Sequence, residues 1–246
     1  MYRIKLDAID STNTFLKELV LDSRPQNFTV VTTESQRAGR GQMGTKWYSE
    51  PSKNLLFSVF VDSSSLLYSE SIYLNFAVSW AIYSVLNTYE IKDLSIKWPN
   101  DILAGDFKIG GILIENTLSK LKIKHSIIGV GLNVNQELFS DDLVSVNSMK
   151  CLLGVEIDRE DLLSKLLNSI QTQINNCCRD TFSEMKSRYL SVLYKINVPT
   201  IFKDTSNSTF GGKIVDVTDN GNLQIELKDG TLREFGSKEI QILRSV

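Results

Sequence analysis

Residues Gly39-Arg40-Gly41-Gln42-Met43-Gly44 read GxGxxG, and their flanks decide which folds such a run can serve. A dinucleotide-binding loop of this spacing lies directly between a strand and a helix. Here the predicted strand 28–33 is followed by a polar run, Glu34-Ser35-Gln36-Arg37-Ala38, before the first glycine. After Gly44 come Thr45-Lys46-Trp47-Tyr48-Ser49-Glu50-Pro51. Adjacent Trp and Tyr ahead of a proline make a poor helix start. The loop therefore reads as an anion holder outside a dinucleotide fold. Arg40, Lys46 and the glycine backbone can cradle phosphate or carboxylate oxygens, and Trp47 can stack on a purine or cover the site. A surface loop anchored by a tryptophan is the alternative.

The apolar pattern around the loop is mixed. Asp10-Ser11-Thr12-Asn13 offers N-caps for a helix carrying Phe15, Leu16, Leu19 and Val20, which ends between Asp22 and Arg24. Residues 55–61 read as a buried strand, and Ser69 is predicted to cap a helix through Ile72, Phe76, Ile82 and Leu86. Strand 94–98, a hairpin of 102–104 with 108–115 turning at Gly105-Asp106, and strand 121–133 follow. Two helices are predicted between Asp158 and Tyr194. From Val198 the chain changes to short strands with Asn220-Gly221 and Asp229-Gly230 turns, which tolerate positive φ. The expected organisation is α+β: residues 1–197 form a mixed sheet backed by helices, and residues 198–246 form a small β-barrel.

Composition excludes several classes. A net charge of -2 argues against a general nucleic-acid binder. Three cysteines, Cys151, Cys177 and Cys178, lack the number or spacing of a disulfide framework or zinc site. The adjacent pair is expected to be buried or half-buried structural thiols, with a redox role as the alternative. The only histidine, His125, cannot build a multi-histidine metal site and is expected on a strand surface rather than in catalysis. With no secretion signal and no apolar run approaching the roughly 18 residues of a membrane span, the chain reads as cytoplasmic.

Four segments concentrate chemically useful residues. Ser11-Thr12-Asn13 can cap a helix or bind a small polar ligand at its positive end. Gln36 through Trp47 is the glycine loop. Lys97-Trp98-Pro99-Asn100-Asp101 brings an amide and a carboxylate to a strand end; Asp101 can hold magnesium and Asn100 a base or phosphate, unless the run is an ordinary turn. Lys108-Ile109-Gly110-Gly111-Ile112-Leu113-Ile114-Glu115 starts an apolar strand with a lysine and paired glycines. Strand glycines permit close backbone approach to a ligand, whereas an edge-strand lysine is the bland alternative. Gly129-Val130-Gly131-Leu132-Asn133 repeats the glycine pattern.

In this order, the segments resemble the biotin–protein ligases. The matching residues are Ser11-Thr12-Asn13, Gln36-Arg37-Ala38-Gly39-Arg40-Gly41 with Gly44 and Trp47, the Lys97–Asp101 block, Lys108 with Gly110 through Glu115, and Gly129 through Asn133. With the β-rich tail, the resemblance covers nearly the whole chain. It implies a class II synthetase-like fold with an SH3-like C-terminal barrel. It also implies ATP-dependent activation of biotin as biotinyl-5′-AMP and transfer to a lysine of a biotin carboxyl carrier protein. ATP with Mg2+ and biotin would be needed, and no tightly bound prosthetic group. Ser11, Thr12, Asn13, Gln36, Gly39, Arg40, Gly41, Gln42, Lys108, Gly111 and Gly129 would form the biotin side. Lys46, Trp47, Asn100 and Asn133 would serve the nucleotide, and Asp101 the metal. Lys108, Asp101 and Arg40 would carry the catalysis. Some relatives carry a DNA-binding domain ahead of the ligase; Ser11 stands ten residues after the start, so a ligase without DNA as partner is expected. The partners would include no membrane, and a homodimer stays open. The rival readings are a lipoate–protein ligase and a non-catalytic biotin-binding regulator. Loss of the lysine or the aspartate would mark the regulator, and Lys108 and Asp101 are both present.

One residue departs from the family pattern. Many bacterial relatives have arginine where this chain has Gln42, which keeps hydrogen bonding but lacks the cation. Gln42→Arg is expected to slow release of biotinyl-AMP from the protein. An unchanged release rate, measured by rapid filtration, would refute that role for position 42.

Overall fold

The structure is a computed structural model and describes residues 1–140 and 143–243. The chain opens with strand β1 (Arg3–Ile9), helix α1 (Thr12–Asp22), β2 (Val30–Gln36) and β3 (Leu55–Asp62). Helix α2 (Ser71–Asn87) leads to β4 (Leu94–Lys97), β5 (Asp101–Ala104), β6 (Phe107–Ser119) and β7 (Lys122–Leu132). Helices α3 (Met149–Leu153), α4 (Arg159–Asn175) and α5 (Phe182–Ser191) follow. The seven strands form one sheet in the order β1-β2-β3-β7-β6-β5-β4, antiparallel except for the β1–β2 pair.

Helices cover both faces of this sheet, which explains why β3 reads as an apolar run interrupted only by Ser58 before Asp62. Phe57, Val59 and Val61 join the main core with Phe76, Val78 and Ile82 of α2 and Leu162, Leu166 and Ile170 of α4. Phe60 points the other way, to Val31, Ile127 and Leu16 of α1. Ser58, fully buried on that second face, is thereby delivered beneath the start of α1.

The second sheet contains β8 (Pro199–Asp204), β9 (Thr209–Val217), β10 (Leu223–Leu227), β11 (Leu232–Phe235) and β12 (Ile240–Ile242). Its antiparallel order, β11-β10-β9-β8-β12, fits an SH3-like barrel that is not closed. Gly221 and Gly230 occupy the turns with φ of 86° and 82°, as their Asn-Gly and Asp-Gly pairs require. Phe202, Ile214, Val217, Leu223 and Ile225 are continuous with the main core. The Trp98 indole donates to the Gly221 carbonyl at 2.9 Å, and Lys186 of α5 pairs with Asp216 at 2.9 Å and Asp219 at 3.2 Å.

The mixed sheet, its helical backing and the C-terminal sheet agree with the sequence reading, with four differences. First, β1 and α3 are additional elements. The Ile4–Leu6 alternation of β1 is short and only half buried, so it carries a weak period-two signal. Second, Ser69 does not cap α2. A 3-10 turn spans Tyr68–Glu70, its Glu70 carboxylate accepting from the Leu67 N–H at 2.9 Å, and the helix starts at Ser71. Third, His125 is buried rather than on the surface; its ring lies 5.5 Å from that of Phe60, and burial with Lys124 lowers its pKa. Fourth, of the adjacent pair only Cys177 is half buried, while Cys178, just past the end of α4, is exposed. No described helix is long and apolar enough to cross a membrane.

Phe76 is fully buried between Phe182 and Tyr189. Phe76→Ala is expected to cost about 3–5 kcal/mol, read by urea unfolding; a loss below about 1 kcal/mol would show that this stack does not hold α2 to α5.

Candidate active site

A cavity of about 320 Å³ opens over the middle of the large sheet. Three glycines of the central strands, Gly111, Gly129 and Gly131, lie in its floor beside Leu113. Gly111 of β6 pairs directly with Gly131 of β7, and Leu113 pairs with Gly129. A Cβ on Gly131 would lie 2.5 Å from the Trp47 indole, and one on Gly129 would overlap the Asn13 side-chain carbonyl. A Cβ on Gly111 would stand 3.1 Å from Trp47 and 3.3 Å from the Lys108 Nζ. These glycines weaken the strands, yet they let an indole and a helix start rest on the backbone itself.

The α1 start forms one wall. Ser11 is the N-cap, its Oγ accepting from the Thr14 N–H at 3.5 Å. The Thr12 N–H donates to Gln36 Oε1 at 2.9 Å, joining the helix end to the last residue of β2. The Ser58 hydroxyl lies 2.7 Å from Thr12 Oγ1 and 2.5 Å from Asn13 Oδ1. Asn13 Nδ2 donates to Glu115 Oε2 at 2.8 Å. The three residues Ser11, Thr12 and Asn13 are buried, so this polar network is fixed rather than solvated.

The glycine loop forms the opposite wall. It folds as a narrow hairpin: the Trp47 N–H donates to the Gly39 carbonyl at 2.9 Å and the Gly41 N–H to the Thr45 carbonyl at 2.7 Å. The tip is a 3-10 turn, Gln42–Gly44, in place of the helix a dinucleotide fold needs. Arg40 reaches Glu115 at 3.0 Å, and Glu115 also takes Lys17 at 2.5 Å. Burial pushes the Glu115 carboxyl up, but hydrogen bonds from Lys17 and Asn13 and the Arg40 charge outweigh it and hold the pKa below the ordinary value.

At the far end Lys108 Nζ pairs with Asp101 Oδ1 at 2.6 Å and stands 5.4 Å from the Trp47 ring centroid. The Lys108 backbone is clamped on both sides: its N–H donates to the Ser145 carbonyl at 2.9 Å, and its carbonyl accepts from the Asn147 N–H at 3.0 Å. Asn100 is pinned to β6, its side chain donating to the Ile112 carbonyl at 2.6 Å.

Most of the residues singled out in the sequence line this cavity: Ser11, Thr12, Asn13, Gln36, Arg40, Gly41, Gln42, Lys46, Trp47, Asn100, Asp101, Lys108, Gly111 and Gly129. Gly39 and Asn133 do not. Gly39 packs under Trp47, where a Cβ would meet the Trp47 carbonyl at 2.5 Å. Asn133 is buried behind the wall, donating to the Asn147 carbonyl at 3.0 Å, and so braces the segment that clamps Lys108. Sequence reasoning gave no role to Ser58, Glu115 or Gly131. A serine inside the apolar run 55–61 was the legible signal for Ser58. It also missed Leu223, Ser237, Lys238, Ile240, Gln241 and Ile242, which the second sheet brings to the cavity. No local pattern marks those residues; they reach the site only because the two sheets dock.

Known proteins resemble this chain in sequence and in fold. Residues 6–133 match the model of the biotin/lipoate A/B protein ligase family, and residues 195–243 match the biotin protein ligase C terminal domain. The chain is 29% identical over 240 residues to the bifunctional ligase/repressor BirA of Bacillus spizizenii, covering 96% of this chain and 72% of that protein. It is 26% identical to the biotin–[acetyl-CoA-carboxylase] ligase of Mycobacterium tuberculosis, covering 90% of this chain and 82% of that one. Among solved structures, the biotin protein ligase of Aquifex aeolicus in complex with biotin and ATP superimposes with a TM-score of 0.82 at 27% identity over 99% of both chains. A cavity built from these segments, in a chain that matches the family model over more than half its length, identifies this protein as a member of the biotin/lipoate A/B protein ligase family.

Proposed function

We propose that this chain activates biotin with ATP as biotinyl-5′-AMP and transfers the biotin to a lysine ε-amine of a carrier domain in a biotin-dependent carboxylase. The Lys108–Asp101 pair facing the glycine loop across a glycine-floored cavity is the observation that carries this reading. The C-terminal match is to a biotin protein ligase domain, which favours biotin over lipoate. The domains we assign are 1–197 for the catalytic part and 198–246 for the barrel.

In the first half-reaction a biotin carboxylate oxygen bonds to the α-phosphorus while the bond to the β-phosphate oxygen breaks and pyrophosphate leaves. Both reactants are anionic, so positioned cations lower the barrier. We assign that task to Lys108 at the carboxylate and forming anhydride and to Arg40 with the Gly41 backbone beside it. Gln42 lines the same side. Ser11, Thr12, Asn13 and Gln36 would hold the biotin ring system, with Gly111 and Gly129 giving it access to the sheet. Trp47, Lys46 and Asn100 would take the nucleotide, and Asn133 would act through the Lys108 clamp. Magnesium prefers oxygen ligands and keeps phosphates and water around it. The Asp101 carboxylate fits that demand without a cluster of protein ligands, and the metal would neutralise phosphate charge there. In the second half-reaction the carrier lysine amine attacks the anhydride carbonyl, loses a proton, and AMP leaves. No covalent enzyme nucleophile is required.

Transfer of labelled biotin to a carrier domain, dependent on ATP, is the test; absence of labelling, or labelling with lipoate instead, would overturn the reading. Lys108→Ala is expected to lower biotin-dependent ATP–pyrophosphate exchange by about 10²–10³-fold, the usual cost of one charge-stabilising donor. A wild-type exchange rate would remove Lys108 from the chemistry.

A further inference from the structure

Glu115 lies within β6, at the end of the matching Lys108–Glu115 run, and neither the resemblance nor the proposed chemistry gives its carboxylate a role. Its place in the sheet is informative. Gly111, Leu113 and Glu115 alternate onto one face of β6, the face that carries the cavity. Glu115 therefore continues the floor row past the cavity and under the α1 start. Three groups converge on it from two other segments: Lys17 at 2.5 Å and Asn13 Nδ2 at 2.8 Å from α1, and Arg40 Nη2 at 3.0 Å from the glycine loop. Asn13 and Lys17 are one helical turn apart, so they present to Glu115 from the same side of α1. The carboxylate is only 21% exposed, and burial alone would raise its pKa; its partners reverse that and keep it ionised.

The glycine loop needs such a tie. Gly39, Gly41 and Gly44 sit within six residues, and fixing glycines costs more backbone entropy than fixing any other residue. The hydrogen bonds at Gly41 and Thr45 are internal to the loop and do not attach it to the sheet. Among the described residues, Arg40–Glu115 is the ion pair that joins the loop to β6. The same Arg40 lines the cavity.

We propose that Glu115 is a positioning residue that tethers Arg40 and the glycine loop to the α1 start before ligand arrives, so that part of the cost of ordering the loop is met in the free protein. This rests on the reading of the cavity as a biotin and ATP site. Glu115 touches neither substrate; it acts through Arg40 and Asn13. A preordered loop raises affinity but leaves the loaded site unchanged, because bound ligand orders the loop in either case.

Glu115→Gln keeps the shape and an acceptor for Asn13 but removes the charge that holds Arg40. Hydrogen exchange of the variant without ligand is expected to be at least about tenfold faster at residues 39–46, with core amides of β3 and β7 unchanged. Saturating biotin should restore wild-type protection. The biotin dissociation constant should rise about tenfold, while the rate of ATP–pyrophosphate exchange at saturating biotin and ATP stays within about twofold. Unchanged loop exchange in the free variant, tighter biotin binding, or a fall in the saturated rate at unchanged affinity would each overturn the proposal. A second measurement needs no variant: raising ionic strength about tenfold should speed loop exchange in free wild-type protein by screening the Arg40–Glu115 pair, and no change would count against the tether. The exchange arms use ligand-free protein, so they judge Glu115 even if the chain fails to bind biotin, which would instead refute the function proposed above.

Discussion

Trp47 and Asn13 can lie where they do only because three strand positions carry no Cβ. The indole rests on Gly131 and Gly111, and the Asn13 amide rests on Gly129. Any side chain there would lift the glycine loop and the α1 start off the sheet, and the cavity between them would lose its floor. The cost of glycine in these strands is offset by pairing on both sides: β3 pairs with β7 from His125 to Leu132, which includes Gly129 and Gly131, and β5 pairs with β6 as far as Gly111. The loop hairpin, the N-cap network around Ser58 and the Lys108 clamp are all measured from that floor.

The charges around the cavity follow the same economy. Two cavity cations are each held by a carboxylate: Lys108 by Asp101, Arg40 by Glu115. Such pairs are placed rather than strongly stabilising, since partly exposed ion pairs contribute little to folding. Their value lies in geometry. In the proposed chemistry Lys108 is the cation that meets the two anionic substrates already in place, whereas the Arg40–Glu115 pair sets where the glycine loop rests before ligand binds.

Much of this was legible in the sequence because it is local. The period of Phe15, Leu16, Leu19 and Val20 gives α1, and the Asn-Gly and Asp-Gly turns give the C-terminal strands. The flanks of the Gly39 loop excluded a dinucleotide fold, and the loop tip is a 3-10 turn rather than a helix. What stayed hidden depends on tertiary packing. His125 alternates like a surface residue, but Phe60 and the packing around it cover the ring. Cys178 looks like a core thiol by type, yet it lies just past the end of α4 and is exposed. Asn133 closes the run that begins with Gly129, Val130 and Gly131 at the cavity, but its own side chain turns to Asn147. Gln241 and Lys238 reach the site across a docked interface that no local pattern encodes.

The glycine floor is the feature on which the site stands or falls, and Gly131→Ala probes it with one methyl group. The indole of Trp47 must move to admit it, while the strand pairing of β6 and β7 can persist. Calorimetric titration of this variant with biotin is the most direct measurement. The expected result is binding weakened by at least about tenfold, with a thermal unfolding midpoint within a few degrees of wild type. Wild-type affinity in the Gly131→Ala protein would contradict the claim that Trp47 and the glycine loop need the bare strand backbone to frame the site.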